Sequence, residues 1–405
     1  MNPADIFQPT SPQFLNNPYP AYKTLRREAP IFFYEPWGKW ILTRHEDVNA
    51  LLRDKRLGRV IAHTLPDAET PQLSDLEAQF EISRIGSLLE LEPPDHTRIK
   101  DVFHQTFTPK RVRELSGDIE ALCERLADDL LARPERRANL IDDFAQTIPV
   151  TVIADLLGVP EADRHKLVPW SSGIIGWFEP ERTADMEKEA VRCAQEFMSY
   201  LRSLIIEKRQ RPTADLMSAM VEIHDDEPER LSELELINNC ILLLNAGHEA
   251  VVNVIGNGMF ALLNNPEQWE MLKGDAELIP TAIEEMMRFD TPLQFFERFI
   301  LEDITYKGFD WPKGTQVCLY YASANHDESV FDQPETFDIT RHPNPHIAFG
   351  LGLHYCIGAP LARLELQAAL RTLAERLPHL QLVGDTPQYH PKNVFRYLKG
   401  LEVRY

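Results

Sequence analysis

Phe349-Gly350-Leu351-Gly352-Leu353-His354-Tyr355-Cys356-Ile357-Gly358 is the stretch on which the reading of this chain turns. Gly350 and Gly352, one residue apart, let the backbone turn sharply and press against another surface. Gly358 follows the cysteine by two, and Pro360 suits the first turn of a helix. Cys356 therefore stands at or just before a helix N-terminus, where backbone N–H groups and the helix dipole favour a thiolate. Several sites are compatible with such a cysteine. It can be buried in a glycine turn, or act as a nucleophile with His354 as base, although no third orienting residue is suggested. A zinc site needs more ligands than one Cys and one His. A lone thiolate does suffice as the axial ligand of a haem, whose porphyrin supplies the other four bonds.

The rest of the chain bounds these options. It has 405 residues, 43% of them hydrophobic and 26% charged, which is ordinary for a globular protein. Its net charge of −21 repels nucleic acid and anionic membrane. The N-terminus shows no signal peptide and no stretch is long and apolar enough to span a bilayer, so no membrane partner and a cytoplasmic location are expected. Of the five cysteines, Cys123, Cys193, Cys240 and Cys318 are expected to pack as small hydrophobes. No repeat or flexible linker divides the chain, and residues 1–405 are expected to form a single domain.

Helical periods dominate. They cover about 21–28, 46–53, 95–107, 109–132, 147–157, 184–209, 216–223 and 280–288, with a last helix after Cys356 to about 377. The longest begins at Ser232, where Ser232 and Glu235 spell a capping box, and runs to Asn264, ~50 Å at 1.5 Å per residue. Strand-like runs are few: 31–34, 39–43, pieces of 293–321 and the final 400–405. Residues 56–92 lack a clear period, apart from a short helical turn near 76–80, and such irregular segments are often functional loops. Helices and strands do not alternate as βαβ units require, so the fold class is mainly α with a minor β region.

Three further constellations stand out. Glu285 and Arg288 lie three apart on one helix face. The middle of the long helix reads Asn245-Ala246-Gly247-His248-Glu249-Ala250-Val251. Its small residues suit a groove, and Glu249 is costly to bury without a partner. Glu92-Pro93-Pro94-Asp95-His96-Thr97-Arg98-Ile99-Lys100 places His96 and Lys100 one helical turn apart.

Taken together these segments resemble the cytochrome P450 family along nearly the whole chain. The cysteine loop matches the bacterial form F-G-x-G-x-H-x-C-x-G at every fixed position. The family's E-x-x-R matches Glu285 and Arg288, with Arg341 as the third member of a structural clamp. A-G-x-[DE]-T matches Ala246, Gly247 and Glu249 but has Ala250 where the family has threonine. Glu92–Lys100 resembles the family's D-P-P-x-H-T-R-x-R, with Glu92 at the aspartate position and Lys100 in place of the last arginine, which keeps the charge but loses the bidentate fork.

The resemblance implies a P450 fold with a long central helix over haem b. Cys356 is then the proximal iron ligand, and Phe349, His354, Gly358, His96, Lys100 and Arg298 contact the cofactor, the last three and His354 at its propionates. It implies monooxygenation of a small, largely apolar organic substrate with O2. Electrons come from a separate ferredoxin or flavodoxin and its NAD(P)H reductase, since no reductase is fused and a monomer is expected. The partner would dock near Cys356, where Arg363 lies on the following helix. The missing threonine normally hydrogen-bonds the dioxygen and helps deliver the second proton. With Ala250 there, that proton is left to Glu249, to water or to a substrate hydroxyl. A peroxide-driven enzyme of the same fold and a haem-thiolate sensor are the alternatives. Substrate contacts are expected from Ile82, Leu88, Leu89, Ile174, Phe178, Leu243, Ala246, Ala250, Leu293 and Phe395, with Arg84 a candidate for a substrate carboxylate.

Overall fold

Ser232 and Glu235 form the capping box that their spacing predicts. The Ser232 N–H donates to Glu235 Oε2 at 2.9 Å, and the Glu235 N–H donates to Ser232 Oγ at 3.3 Å. The helix they start, Glu233–Asn264, runs 32 residues, and Pro266 opens the next, Pro266–Gly274. The computed structural model describes residues 2–60, 73–384 and 386–405. Residues 61–72 of the expected irregular region lie outside the described residues.

The chain forms two compact units. The first comprises Met1–Leu57, Ser116–Ile148 and Ala250–Tyr405, and the second Gly58–Leu115 and Pro149–Glu249. The long helix belongs to the second unit through Glu249 and to the first from Ala250 onward.

The first unit is built on a five-stranded sheet. Ile31–Tyr34 pairs antiparallel with Lys39–Leu42, which runs parallel to Gln316–Leu319, itself antiparallel to Phe296–Ile300, with Leu57–Gly58 at the edge. Side chains alternate across the pleat, so both faces are buried. Leu42, Val317 and Leu319 pack with Val48, Leu51 and Trp311 on one face. Ile41 and Cys318 pack with Phe7, Tyr22, Leu25 and Tyr320 on the other. Helices Tyr19–Glu28 and His45–Arg53 pack on the sheet, and Ala359–Arg376 packs against Ser116–Leu131 and Ile279–Phe289. A three-stranded sheet joins Arg137–Asn139, Glu402–Arg404 and Gln381–Leu382.

The second unit is helical: Asp75–Glu81, Asp95–Thr106, Pro109–Glu114, Leu167–Ile175, Ala184–Gln210, Leu216–Asp226 and the start of the long helix. The single helix expected over 109–132 is instead two, Pro109–Glu114 and Ser116–Leu131. The Leu115 N–H reaches back only three residues, to Val112 O at 3.2 Å, and Ser116-Gly117 are poor helix formers that permit the break. Leu167–Ile175 was not signalled by periodicity, because Leu-Val-Pro-Trp-Ser-Ser-Gly-Ile-Ile is apolar on most sides. Its Gly173 lies so close to Cys193 that a β-carbon would come 2.5 Å from the sulfur. The four cysteines expected to pack as hydrophobes are buried, and Cys356 is exposed. No helix among the described residues is long and apolar enough to cross a membrane.

Candidate functional site

Within the first unit the clamp is complete. Arg288 Nε and Nη2 donate to the two oxygens of Glu285 at 2.7 and 2.8 Å, and both side chains are wholly buried. Arg341 Nε adds a contact to Glu285 at 3.1 Å, the Asp338 N–H one at 3.0 Å and Asn344 Nδ2 one at 3.2 Å. Arg288 then spends its remaining donors on the carbonyls of Asn325, Pro334 and Thr336. A chain of bonds leads on toward the cysteine: Asn325 Oδ1 accepts the Ile347 N–H at 2.8 Å, and Ile347 O accepts the Gly350 N–H at 2.9 Å.

The cysteine loop is shaped by backbone. Gly352 has φ +73°, and a β-carbon there would collide with the Leu52 carbonyl oxygen, so only glycine lets the loop lie against helix His45–Arg53. The Cys356 N–H donates to Phe349 O at 3.1 Å, and the helix Ala359–Arg376 starts three residues later, with Gly358 as its N-cap. Burial pushes the Cys356 thiol up. The N–H groups of Gly358 and Ala359 and the charge of Arg363 pull it down, as expected at a helix N-terminus. Although protein crowds its sulfur enough for that desolvation, Cys356 keeps accessible surface.

Arg363 is not a free cation for a docking partner, contrary to expectation. It grips Glu284 with Nε and Nη2 at 2.6 and 2.8 Å, and its guanidinium lies over the Phe349 ring, 4.6 Å from the centroid. Glu284 also bonds His346 Nε2 at 2.9 Å. The Ala348 N–H donates to His346 Nδ1 at 3.2 Å, which puts the ring hydrogen on Nε2, toward Glu284. Burial pushes the Glu284 carboxyl up, but the bonds from Arg363 and His346 outweigh it and hold the group down at about 2. A depressed carboxylate stabilises the fold above its ordinary range near 4.5 and loses that contribution as pH falls toward 2. We expect the urea-midpoint advantage of the parent over Glu284→Gln to be full at pH 6 and to shrink steadily below pH ~4.5. An advantage that does not change with pH would show that this ion pair is not what Glu284 contributes.

The remaining first-unit candidates are placed as follows. Arg298 lies buried on strand Phe296–Ile300, its Nη1 donating to Glu297 O at 2.8 Å. Leu293 and Phe395 are brought together as a bridge pair. Ala250 is half-buried on the long helix, and His354 closes the short turn Gly352–His354.

Within the second unit, His96 is buried and Lys100 half-buried on the helix Asp95–Thr106. Glu249 accepts a hydrogen bond from Ser172 Oγ at 3.4 Å. Its neighbour His248 is buried, which lowers its pKa to about 4 and keeps the ring neutral near pH 7. Gly247, read as one of the small residues of a groove, also makes a close contact of its own. A β-carbon on Gly247 would come 2.6 Å from Ile153 Cδ1, so the small residue serves close contact with helix Thr147–Leu157. Ala246 is exposed and Leu243 half-buried.

The irregular region resolves into helix Asp75–Glu81, a turn over 82–87 and the short helix Leu88–Glu90. Ile82 is 47% exposed, Leu89 half-buried, and Leu88 and Ile174 are buried. Phe80 stacks on Trp177 at 4.1 Å, and Arg84 lies 5.7 Å from the Phe178 ring, so the two stretches singled out for substrate contact meet within this unit. Arg84 itself is paired with Glu81 at 3.2 Å and Glu90 at 3.0 Å, which corrects its reading as a partner for a substrate carboxylate.

Sequence reasoning missed Glu284, His346, Ser172 and the paired Asn238 and Asn239. Each acts through a partner far along the chain, and no local spacing announces it.

Among the described residues no group of three or more His, Cys, Asp or Glu is placed to hold a metal ion by itself. That set does not suit zinc. An accessible lone thiol facing two N–H groups at a helix N-terminus does suit the single axial bond that a haem iron needs.

The sequence model of the family described as Cytochrome P450 matches residues 177–395. The polyketide biosynthesis cytochrome P450 PksS of Bacillus subtilis is 36% identical over 407 residues, covering 98% of this chain and 97% of that protein. The vitamin D(3) 25-hydroxylase of Pseudonocardia autotrophica is 38% identical, covering 98% and 96%. Among solved structures, P450BioI in complex with an acyl carrier protein ligated to hexadec-9Z-enoic acid superposes with a TM-score of 0.90. It has 35% identity and coverage of 98% of this chain and 100% of that one. Fold and loop thus define a haem-thiolate oxidoreductase with haem b as cofactor and O2 as co-substrate. The chain belongs to the cytochrome P450 family.

Proposed function

We propose that this P450 inserts one oxygen atom of O2 into a small, largely apolar organic substrate, drawing two electrons from a separate ferredoxin or flavodoxin and its NAD(P)H reductase in the cytoplasm. The observation that carries the reading is the accessible Cys356 thiol between the Gly358 and Ala359 N–H groups at the head of helix Ala359–Arg376, in a chain of this family. When bound, haem supplies the activation of dioxygen. The chain's own groups bind and orient. Cys356 holds the iron, Phe349 and Gly358 shape the ground around the sulfur, and His354, His96, Lys100 and Arg298 donate to the propionates. Ile82, Leu88, Leu89, Ile174, Phe178, Leu243, Ala246, Leu293 and Phe395 are proposed to contact the substrate and keep water from it.

The proton is the distinctive step. A side-chain hydroxyl normally follows the acid of the long helix, and Ala250 has none. Glu249, anchored to Ser172 Oγ at 3.4 Å, is the residue that moves a proton inward. The donor to the dioxygen is then a substrate hydroxyl or a water that the substrate holds. Ala250→Thr supplies the missing hydroxyl, so it should raise product formed per electron pair for generic apolar substrates. Gains of up to about tenfold correspond to ~1.4 kcal/mol of barrier. The same change should leave a hydroxylated native substrate unimproved, because it displaces the organised water. Coupling is measured with a surrogate ferredoxin, its reductase and labelled O2, for both proteins and both substrate classes. Equal improvement in both classes would sink substrate assistance. Label arriving only from peroxide would replace the O2-driven reading with a peroxygenase.

A further inference from the structure

Two adjacent asparagines on the long helix, both with no exposed surface, devote their side chains to the backbone of one turn. Asn238 Nδ2 donates to Ile82 O at 2.8 Å and to Ile85 O at 2.7 Å. Asn239 Nδ2 donates to Gly86 O at 2.9 Å, and Asn239 Oδ1 accepts the Leu88 N–H at 2.9 Å. Four backbone groups within seven residues are thereby fixed to one helix. The approach is as close as it can be: Gly86 has φ +74°, and a β-carbon there would overlap the Glu235 side chain. Glu235 is in turn held by Arg98 Nη2 at 2.6 Å, and Glu90, at the far end of the segment, by Arg84 at 3.0 Å and Arg59 at 3.3 Å. Behind the turn, Phe80 stacks on Trp177.

A surface loop ordinarily gives its carbonyls and N–H groups to water. This one gives them to buried amides while leaving its two largest apolar side chains uncovered, Ile82 at 47% and Ile85 at 49%. Covering an isoleucine is favourable, and leaving two outside on a segment pinned this firmly makes sense where a ligand completes their burial. The pinning also prevents the turn from folding inward to hide them.

The geometry points to Asn238 and Asn239 as positioning residues that hold residues 82–88 as a rigid wall of the substrate site, with Ile82 and Ile85 meeting the apolar part of the substrate. Selectivity at this wall is then set by a preorganised turn. This deepens the monooxygenase reading and rests on it. Preorganisation predicts that freeing the turn weakens substrate binding while leaving ligands of the iron alone unaffected.

The test uses the haem-loaded parent, Asn239→Ala and Ile85→Ala. Dodecanoic acid and testosterone serve as apolar probes, read by the shift of the haem to high spin, and imidazole as a small iron-binding control. The thiolate-type CO band is recorded first; its absence from the parent overturns the monooxygenase reading and with it this one. With the band present, Asn239→Ala should speed hydrogen exchange at the Leu88 amide by at least about tenfold. It should weaken the better-bound probe by about tenfold or more, with imidazole affinity within about twofold. Ile85→Ala, an exposed position that folding does not need, should weaken the same probe and leave exchange at Leu88 unchanged. Unaltered exchange in Asn239→Ala overturns the latch. Exchange that accelerates while both variants bind the probe like the parent overturns the role in substrate binding.

Discussion

Glu285→Ala should yield protein with less than about a tenth of the parent's haem content and a first unit that no longer melts cooperatively. The substitution strands the Arg288 guanidinium at zero exposure and removes the acceptor for Arg341, Asn344 and the Asp338 N–H. Breaking one side of a buried ion pair costs about 3–5 kcal/mol, a large share of a domain's 5–15 kcal/mol. The damage is also directed. Arg288 orients Asn325, Asn325 orients Ile347, and Ile347 orients Gly350 at the start of the cysteine loop. Glu285→Gln removes the charge, keeps one acceptor oxygen and turns the other into a donor, and should fall between the parent and Glu285→Ala. Glu249→Gln, at a residue that bonds the Ser172 hydroxyl and takes no part in the clamp, should keep its haem and lose turnover. Haem content is read from the pyridine haemochrome spectrum and folding from the urea transition. Parent-like haem in Glu285→Ala, or equal haem loss in Glu249→Gln, would show the roles to be wrongly divided.

The features legible in the sequence are those whose physics is local. The capping box at Ser232 and Glu235 joins groups three residues apart, and it forms as spaced. The glycines of the cysteine loop announce a tight approach wherever they lie, and Gly352 makes one against Leu52. Glu285 and Arg288 share a helix face by spacing alone, but spacing does not tell buried from exposed; the structure places the pair at zero exposure.

What was not legible depends on partners that the chain brings from far away. Arg363 and Glu284 are 79 residues apart, so a cation beside the cysteine read as a docking charge when it is already neutralised. Arg84 read as a substrate anchor for the same reason, until Glu90 is placed beside it. Gly247 carries two meanings in sequence, a groove for a flat ligand or close helix contact, and only the position of Ile153 shows the second. Asn238 and Asn239 are 151 to 156 residues from the turn they hold, and in the sequence they are two polar residues in an apolar run.

Cys356→Ala should give a folded protein that has lost the thiolate-type CO band and, with it, O2-dependent turnover by roughly a thousandfold or more, the equivalent of about 4 kcal/mol of barrier. Folding is expected to survive because the loop does not hang on the sulfur. Its path is set by the Phe349 O bond to the Cys356 N–H, by Gly352 against Leu52 and by Arg363 between Phe349 and Glu284, and none of these involves Sγ. The substitution removes the sulfur that the Gly358 and Ala359 N–H groups face, but the Ala359 N–H keeps its bond to the residue-356 carbonyl, 3.3 Å in the parent. Chemistry has no substitute for the sulfur. A Cys356 thiolate would be the donor that favours O–O cleavage on a bound haem, and neither water nor a histidine would supply that push. The other four cysteines are buried, and burial pushes the thiols of Cys123 and Cys240 up to about 12, so none can take over. The reduced CO spectrum of urea-verified, folded variant protein decides the matter. A retained thiolate band in Cys356→Ala would require a different ligand and would remove the foundation on which the roles of Glu249 and Ala250 rest.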